Sequence, residues 1–323
     1  MFNPEHDLAL AVGKGPYTPP AEVVNLRKAN SLLPALYADN GDFILITDPL
    51  SDEEIRSSEF YPLVKKKNLN LVSPELLPQI SHKIDRIEPW GWDYAIRNML
   101  KSSGMPDHLL LSQENIEEIR RLSHRRTAIP FREFISTILG EKTIKPVKEL
   151  FSLKEVEEFL GINPVVYFKA PWSSSGRGIV VSDHIKTKGL FEWCHGIIRR
   201  QGSVMAEPAW DRVFDFATEW IIRDNEPKFL GYSIFQTSSR GKYHKNIIGT
   251  ENEVQNLIFK SIPSFSQDII MAQAQSLKSM IAPSYNGYLG IDMLADSEGN
   301  INTCVEINLR MTMGHVALIR NKQ

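Results

Sequence analysis

The sequence predicts an α/β chain in two parts: a small N-terminal domain on a parallel sheet, then an α+β region on antiparallel sheets. Three observations carry that prediction. Over the first hundred residues, short apolar runs alternate with helical segments, as in "FILIT" at 43–47, "EEIRSSEFYPLVKKK" and "LNLVS" at 69–73. Further on, "VVYFKAPWSSSGRGIVVSD" (165–183) reads as two β-rich runs joined by a Ser/Gly loop. Near the end, "GYLGIDMLADSEGNINTCVEINLR" (287–310) reads as two strands about the polar turn "DSEGN". At 323 residues the chain exceeds one small core, so the expected division is 1–105 and 106–323, the latter in parts 106–204 and 205–323.

Composition narrows the function classes. Hydrophobic residues make up 42% and charged residues 24%, with a formal charge of −2, which removes the case for a basic nucleic-acid or membrane-surface protein. Only Cys194 and Cys304 occur, far apart, so neither a disulfide framework nor a close-spaced thiolate metal site is expected. The opening "MFNPEHDLAL" has no basic, apolar leader, and no long uncharged apolar run occurs. A cytoplasmic chain is the expectation.

The elements follow in order. Lys65, Lys66 and Lys67 fit a solvated helix end better than an anion patch. "LSQENIEEIRRLSHRR" (111–126) is a helix capped by Ser112, and "TAIPFREFISTILG" repeats its apolar residues at helical intervals. "SLKEVEEFLG" opens on a Ser152/Glu155 capping box and is expected to stop at Gly161. "GLFEWCHGIIRRQG" is a helix, "SVMAEPAW" a short strand, and "FDFATEWII" with "PKFLGYSIFQTS" a strand pair. A helix within "SIPSFSQDIIMAQAQSLKSMIAPS" precedes the final ribbon.

Two places point to chemistry. Lys169 shares a strand face with Tyr167 and Val165, opposite Val166 and Phe168, directly before the loop Ser173–Gly178. A buried ammonium is costly unless an anion neutralises it, and phosphates would do so; a lysine reaching solvent beside an ordinary turn accounts for the same residues. The loop lacks both the Walker pattern and the dinucleotide fingerprint, and β-branched "IVVSD" follows it, so it reads as a flap between antiparallel strands. In the final ribbon, pairing about Gly299 sets Asp292 opposite Glu306, Met293 opposite Val305 and Ile291 opposite Ile307. One face then carries Asp292, Glu306 and Asn308, a hard-oxygen cluster suited to Mg²⁺, with Arg310 next on that face; the solvent-facing polar side of a hairpin accounts for the same residues.

Taken in order, these pieces resemble the ATP-grasp superfamily over roughly residues 110–318. The resemblance implies an N-terminal α/β domain followed by a two-subdomain grasp on antiparallel sheets. It implies a basic phosphate contact at "SHRR", with Arg125 preferred over Arg126. It implies a second at Lys169, under a flap of Ser173, Ser174, Ser175, Gly176, Arg177 and Gly178. Met205 and Ala206 in "VMAEPAWD" look like the adenine hinge, with Glu207 and Asp211 as polar contacts. "GIDM" and "EINLR" match the closing pattern, giving Asp292, Glu306 and Asn308 as metal ligands and Arg310 as a catalytic contact beside Lys169. Leu309 departs from the proline often found there, and little chain follows "TMGHVAL".

The implied cofactors are ATP with Mg²⁺ or Mn²⁺, and the implied reaction is a carbon–nitrogen ligation. A substrate carboxylate takes the γ-phosphoryl group and an amine displaces phosphate from the acyl phosphate. A phosphotransferase and a non-catalytic nucleotide binder are the alternatives. Partners are small-molecule carboxylate and amine substrates, with neither nucleic acid nor membrane, and a homodimer is allowed for. The acceptor is expected near the N-terminal domain, where "FNPEHD" (Asn3, Glu5, His6, Asp7), Gly13 and Gly15, and "PWGWD" (Trp90, Trp92) stand out; Arg240 and Lys245 are further candidates for anions. Each of these also fits a turn or a packing role. His315 is read as a structural hydrogen-bonder, and no zinc or iron spacing is present.

Overall fold

The computed structural model describes residues 1–140, 146–173, 176, 178–183, 188–237 and 243–321. The chain divides into two compact units, Met1–Arg120 and Arg121–Lys322.

In the first unit Phe43–Leu45 (β1) and Asn70–Val72 (β2) pair in parallel, Ile44 beside Leu71. The crossover carries helices Asp52–Ser57 and Tyr61–Lys66. Ser51 starts it with a reciprocal cap: its Oγ accepts from Glu54 N at 3.2 Å and its own N–H donates to Glu54 Oε2 at 2.8 Å. The lysine run is a helix terminus, and Lys67 Nζ donates to the carbonyls of Ala35, Leu36 and Ala38 at 2.9, 3.1 and 2.8 Å. Val72, Leu77, Ile96, Leu100 and Met105 close the core.

The second unit holds Lys148–Leu150 (β3), Val165–Lys169 (β4), Ile179–Asp183 (β5), Val204–Pro208 (β6), Arg212–Arg223 (β7), Glu226–Thr237 (β8), Tyr243–Asn246 (β9), Gly287–Asp296 (β10) and Ile301–Asn308 (β11). They form two antiparallel sheets, β3-β6-β4-β5 and β11-β10-β7-β8-β9. The period of two on β4 decides what each face does. Val166 and Phe168 pack with Val204 and Ala206 against Val156, Phe159, Leu190 and Cys194 of helices Leu153–Ile162 and Lys188–Gln201. Tyr167 and Lys169 are left on the other face. On the larger sheet, Gln273 of helix Gln267–Met280 accepts from Thr218 Oγ1 at 2.9 Å and donates to the Thr303 carbonyl at 3.0 Å.

Several local expectations need correction. Helix Leu153–Ile162 runs one residue past Gly161, and Glu155 accepts from Phe151 N–H rather than from Ser152. A helix at Glu251–Ser261 was not anticipated, although Thr250 and Glu253 form a reciprocal cap before it. In the last ribbon, Ile291 opposes Ile307 and Asp292 opposes Glu306 as expected. The register then shifts, so that Leu294 opposes Asn302 and Met293 no longer faces Val305. The turn is the cause. Asp296 Oδ1 accepts from Glu298 N at 3.1 Å and Asn300 N at 2.9 Å, fixing a tight return that the carboxylate pairing does not match. An irregularity between the two absorbs the difference.

Candidate functional site

The site is built where the far face of β4 and β6 meets the start of helix Ala128–Leu139 and strand β11. Arg125, Ala128, Arg132, Val147, Tyr167, Lys169, Met205, Ala206, Glu207, Cys304 and Val305 line one narrow cavity. Helix Gln113–Leu122 ends before Ser123, and a short 3-10 turn at Arg125–Thr127 leads into Ala128–Leu139. His124 caps that turn, its Nδ1 accepting from Arg126 N–H at 3.0 Å. Arg125 is thereby directed inward and is buried, while Arg126 is exposed and pairs with Glu149 at 3.3 Å.

Arg125 ties the pieces together. Its Nη2 donates to Glu306 Oε1 and Oε2, both at 2.9 Å, and its Nη1 donates to Ser173 Oγ at 2.8 Å and to the Ala170 carbonyl. Lys169 is 8% exposed and ion-pairs with Glu207, which is 7% exposed. The loop after Lys169 closes on itself: Ala170 N–H donates to the Gly178 carbonyl at 2.8 Å, and Ser173 is buried. Gly178 is required there, because a Cβ would stand 2.4 Å from Ser173 Oγ. Gly176 has φ +72°, in the region that favours glycine. Ser174, Ser175 and Arg177 lie outside the described residues, as does Arg240.

On the facing ribbon, Asp292 stands directly opposite Glu306, and Asn308 is opposite Gly290. Burial, and after it the charges of Glu306 and Glu219, push the Asp292 carboxyl up to about 8, against a hydrogen bond from Asn308. Arg310 donates to Asn308 Oδ1 and to the Met311 carbonyl, each at 3.1 Å. The donor set fits a divalent cation of the Mg²⁺ or Mn²⁺ kind. It offers two carboxylates set opposite one another, with an amide oxygen beside them. Among the described residues no group of three or more His, Cys, Asp or Glu side chains could hold a metal, so such an ion would rest on this two-carboxylate, one-amide set.

A second buried network stands beside the ribbon; the sequence reads His315 as a structural hydrogen-bonder and does not anticipate Glu219. Glu219 of β7 accepts from Ser233 Oγ at 2.7 Å and Thr312 Oγ1 at 2.8 Å, and His315 Nδ1 lies 3.0 Å from it. His315 Nε2 is 3.1 Å from the Trp220 carbonyl, and burial lowers the basicity of its ring. Glu219 fits because positions 290 and 314 are glycine: a Cβ on Gly314 would stand 1.8 Å from Glu219 Oε1.

Other residues singled out in the sequence go elsewhere. Asp211 is exposed and accepts from the Ser297 hydroxyl, away from the cavity lining; Lys245 is exposed on β9. In the first unit, Asn3 Nδ2 donates to the Gly91 carbonyl at 2.8 Å and to Asp93 Oδ2 at 3.2 Å, with His6 Nδ1 3.5 Å from the same carboxylate oxygen. Arg27 joins Glu5 to Asp48 there, and Trp90 packs edge-on to Phe2 at 4.9 Å. Arg132 and Cys304 line the cavity, and the sequence reading missed both. Their signal was spacing: Arg132 lies two turns beyond Arg125, and Cys304 shares a strand face with Glu306.

A four-stranded antiparallel sheet with a flap, clasped against a five-stranded antiparallel sheet with an acidic ribbon, is the ATP-grasp fold expected from the motifs, and solved structures bear this out. The chain is similar to a biotin carboxylase–β,γ-ATP complex from Campylobacter jejuni, at TM-score 0.56 and 12% identity, over 91% of this chain and 65% of that one. It is similar at TM-score 0.55 and 13% identity to the biotin carboxylase domain dimer of Hydrogenobacter thermophilus 2-oxoglutarate carboxylase in complex with MgADP, ADP and bicarbonate, over 91% and 67% of the two chains. D-alanyl-alanine synthetase A from Vibrio cholerae matches at TM-score 0.50 and 14% identity, over 88% and 94%. The chain thus spans about two thirds of the carboxylases and nearly all of the synthetase. No family model matches the sequence, and no curated protein matches it. Among the described residues no helix is long and apolar enough to cross a membrane.

Proposed function

We propose that this chain is a Mg-ATP-dependent ligase that activates a substrate carboxylate as an acyl phosphate and couples it to an amine. The observation that carries the reading is the Arg125–Glu306 pair, which joins the basic start of the helix to the acidic ribbon beside the buried Lys169–Glu207 pair. Arg125 and Lys169 are each held by a carboxylate, so a Mg-nucleotide fits by exchange. Arg125 and Lys169 would hold the phosphates, and Glu306, Asp292 and Asn308 would hold the divalent ion. The ion would supply charge neutralisation at the β- and γ-phosphates.

The chain's own residues then act by position. Lys169 and Arg125 hold the phosphates, with Ser173, Gly176 and Gly178 over them and Ser174, Ser175 and Arg177 proposed to complete the cover. Met205, Ala206 and Glu207 flank the base and sugar. Arg310 steadies the transferring phosphoryl group and the acyl phosphate. A substrate carboxylate oxygen bonds to Pγ as the Pγ–O bond to ADP breaks; the amine nitrogen bonds to the acyl carbon as phosphate leaves, and the amine gives up a proton. A structural likeness to synthetases and carboxylases supports this class, and the substrates are read as small molecules in a cytoplasmic setting.

The test is a mass-spectrometric screen of pooled carboxylates and amines with Mg-ATP. An ATP-dependent condensation product that disappears with Glu306→Gln supports the ligase. Phosphorylated product without amine dependence identifies a phosphotransferase instead.

A further inference from the structure

The cavity holds one cation that the site as described does not use. Arg132, on helix Ala128–Leu139, is 4% exposed and lines the cavity with Lys169, Met205 and Ala206. Among the described residues no carboxylate stands within ion-pair distance of it. Among the same residues its side chain makes one hydrogen bond, from Nη1 to Asn302 Oδ1 at a long 3.4 Å, and its Nε finds no partner. Asn302 is itself 2% exposed, with its Nδ2 unpartnered. The contrast with its neighbours is sharp, since Arg125 has Glu306 and Lys169 has Glu207.

A guanidinium is permanently charged and carries five donors, so burying it with one long bond to a neutral amide is unfavourable unless an anion completes the site. A neutral nucleobase would satisfy hydrogen bonds but leave the charge uncompensated. Position selects among the phosphates. Arg125, Arg132, Lys169, Met205 and Ala206 line one cavity, but Arg125 hydrogen-bonds Ser173 and Glu306 whereas Arg132, seven residues on within helix Ala128–Leu139, bonds neither.

Resting on the nucleotide reading above, we infer that Arg132 is a further phosphate-binding residue of this site, gripping the α-phosphate at the base end of the cavity. An isolated buried cation should also burden the fold when no nucleotide is bound. Removing it should therefore weaken ligand binding and strengthen the protein alone, the reverse of what loss of a structural arginine does.

The experiment titrates Mg-ATP, AMP and adenosine calorimetrically into the wild type, Arg132→Met and Arg132→Lys, and melts each protein without nucleotide. Expected is a loss of about tenfold or more for Mg-ATP and AMP in Arg132→Met, within the range of a hydrogen bond to a charged group. Adenosine should change less than about twofold, Arg132→Lys should recover part of the loss, and the melting temperature of Arg132→Met should rise by about 2 °C or more. Unchanged phosphate binding in Arg132→Met overturns the inference, as does equal loss for adenosine and Mg-ATP. A variant that melts lower or fails to fold overturns it too, because Arg132 is then structural. A wild type that binds none of the three sinks the nucleotide reading and this inference with it, whereas a binding wild type with an unaffected variant sinks this inference alone.

Discussion

Arg125 Nη2 donates to both carboxylate oxygens of Glu306 at 2.9 Å across 181 residues of sequence. The pair is the join between the helical start and the acidic ribbon, and Arg125 is nearly fully buried within it. Glu306→Gln should leave that guanidinium without its anion and cost about 2–4 kcal/mol of stability, discounted from the range for fully buried pairs because Glu306 is partly exposed. Arg125→Gln should cost a similar amount. The double variant should lose less than the sum, with a coupling of about 1–3 kcal/mol by denaturant unfolding. Additive losses would show that the two do not interact in solution.

Lys169 and Glu207 make the corresponding pair on β4 and β6. Lys169→Met should weaken Mg-ATP by about tenfold to a hundredfold, since the lysine's proposed phosphate contact is lost. Glu207→Gln should weaken binding less than Lys169→Met, because its ion pair is exchanged away in the nucleotide complex and only its polar contact beside the sugar is altered. Fluorescence or calorimetric titration reads both, and unchanged binding in Lys169→Met would contradict its phosphate contact.

Asp292 makes the stability of the nucleotide-free protein depend on pH. With its carboxyl raised from 3.8 to about 8, the folded state keeps a proton that the unfolded chain has released between those values. Folding stability should therefore be full below about pH 4, fall as pH rises towards about 8, and level off above. Asp292→Asn should flatten that slope and be the more stable protein near pH 8. Mg²⁺ should restore part of the loss at the same pH. Urea midpoints across pH check this, and a wild-type slope identical to that of Asp292→Asn would contradict it.

Gly314 has no room for a side chain beside Glu219. Gly314→Ala puts a Cβ 1.8 Å from Glu219 Oε1 and 2.5 Å from Ser233 Oγ. Forcing those buried groups apart should cost about 2–4 kcal/mol, combining overpacking with a disturbed buried hydrogen bond. A Gly314→Ala protein with the melting temperature of the wild type would show that the Glu219 network is looser than described.

Much of this site was legible in the sequence because the chemistry follows strand periodicity. Period two on "VVYFK" separated Val166 and Phe168 from Lys169, and alternation about "DSEGN" put Asp292 opposite Glu306. The register beyond that pair was not legible, because Asp296 closes the turn through its own side chain, a local hydrogen bond that strand alternation does not encode. Glu219 and Arg132 escaped for another reason. Each sits within an ordinary-looking apolar element, "FATEWII" and "AIPFREFIS", and only tertiary packing shows that the element's buried face is a polar site. The helix at Glu251–Ser261 was readable from "TENEV", where Thr250 and Glu253 stand at capping-box spacing.

The most direct measurement is a titration of ATP into the wild type and Glu306→Gln, each with Mg²⁺ and with a chelator. The wild type should bind ATP with a strong dependence on Mg²⁺, and Glu306→Gln should lose that dependence together with most of the affinity. Tight ATP binding indifferent to Mg²⁺ in both proteins, or no binding by a folded wild type, would contradict a metal–nucleotide site on this ribbon.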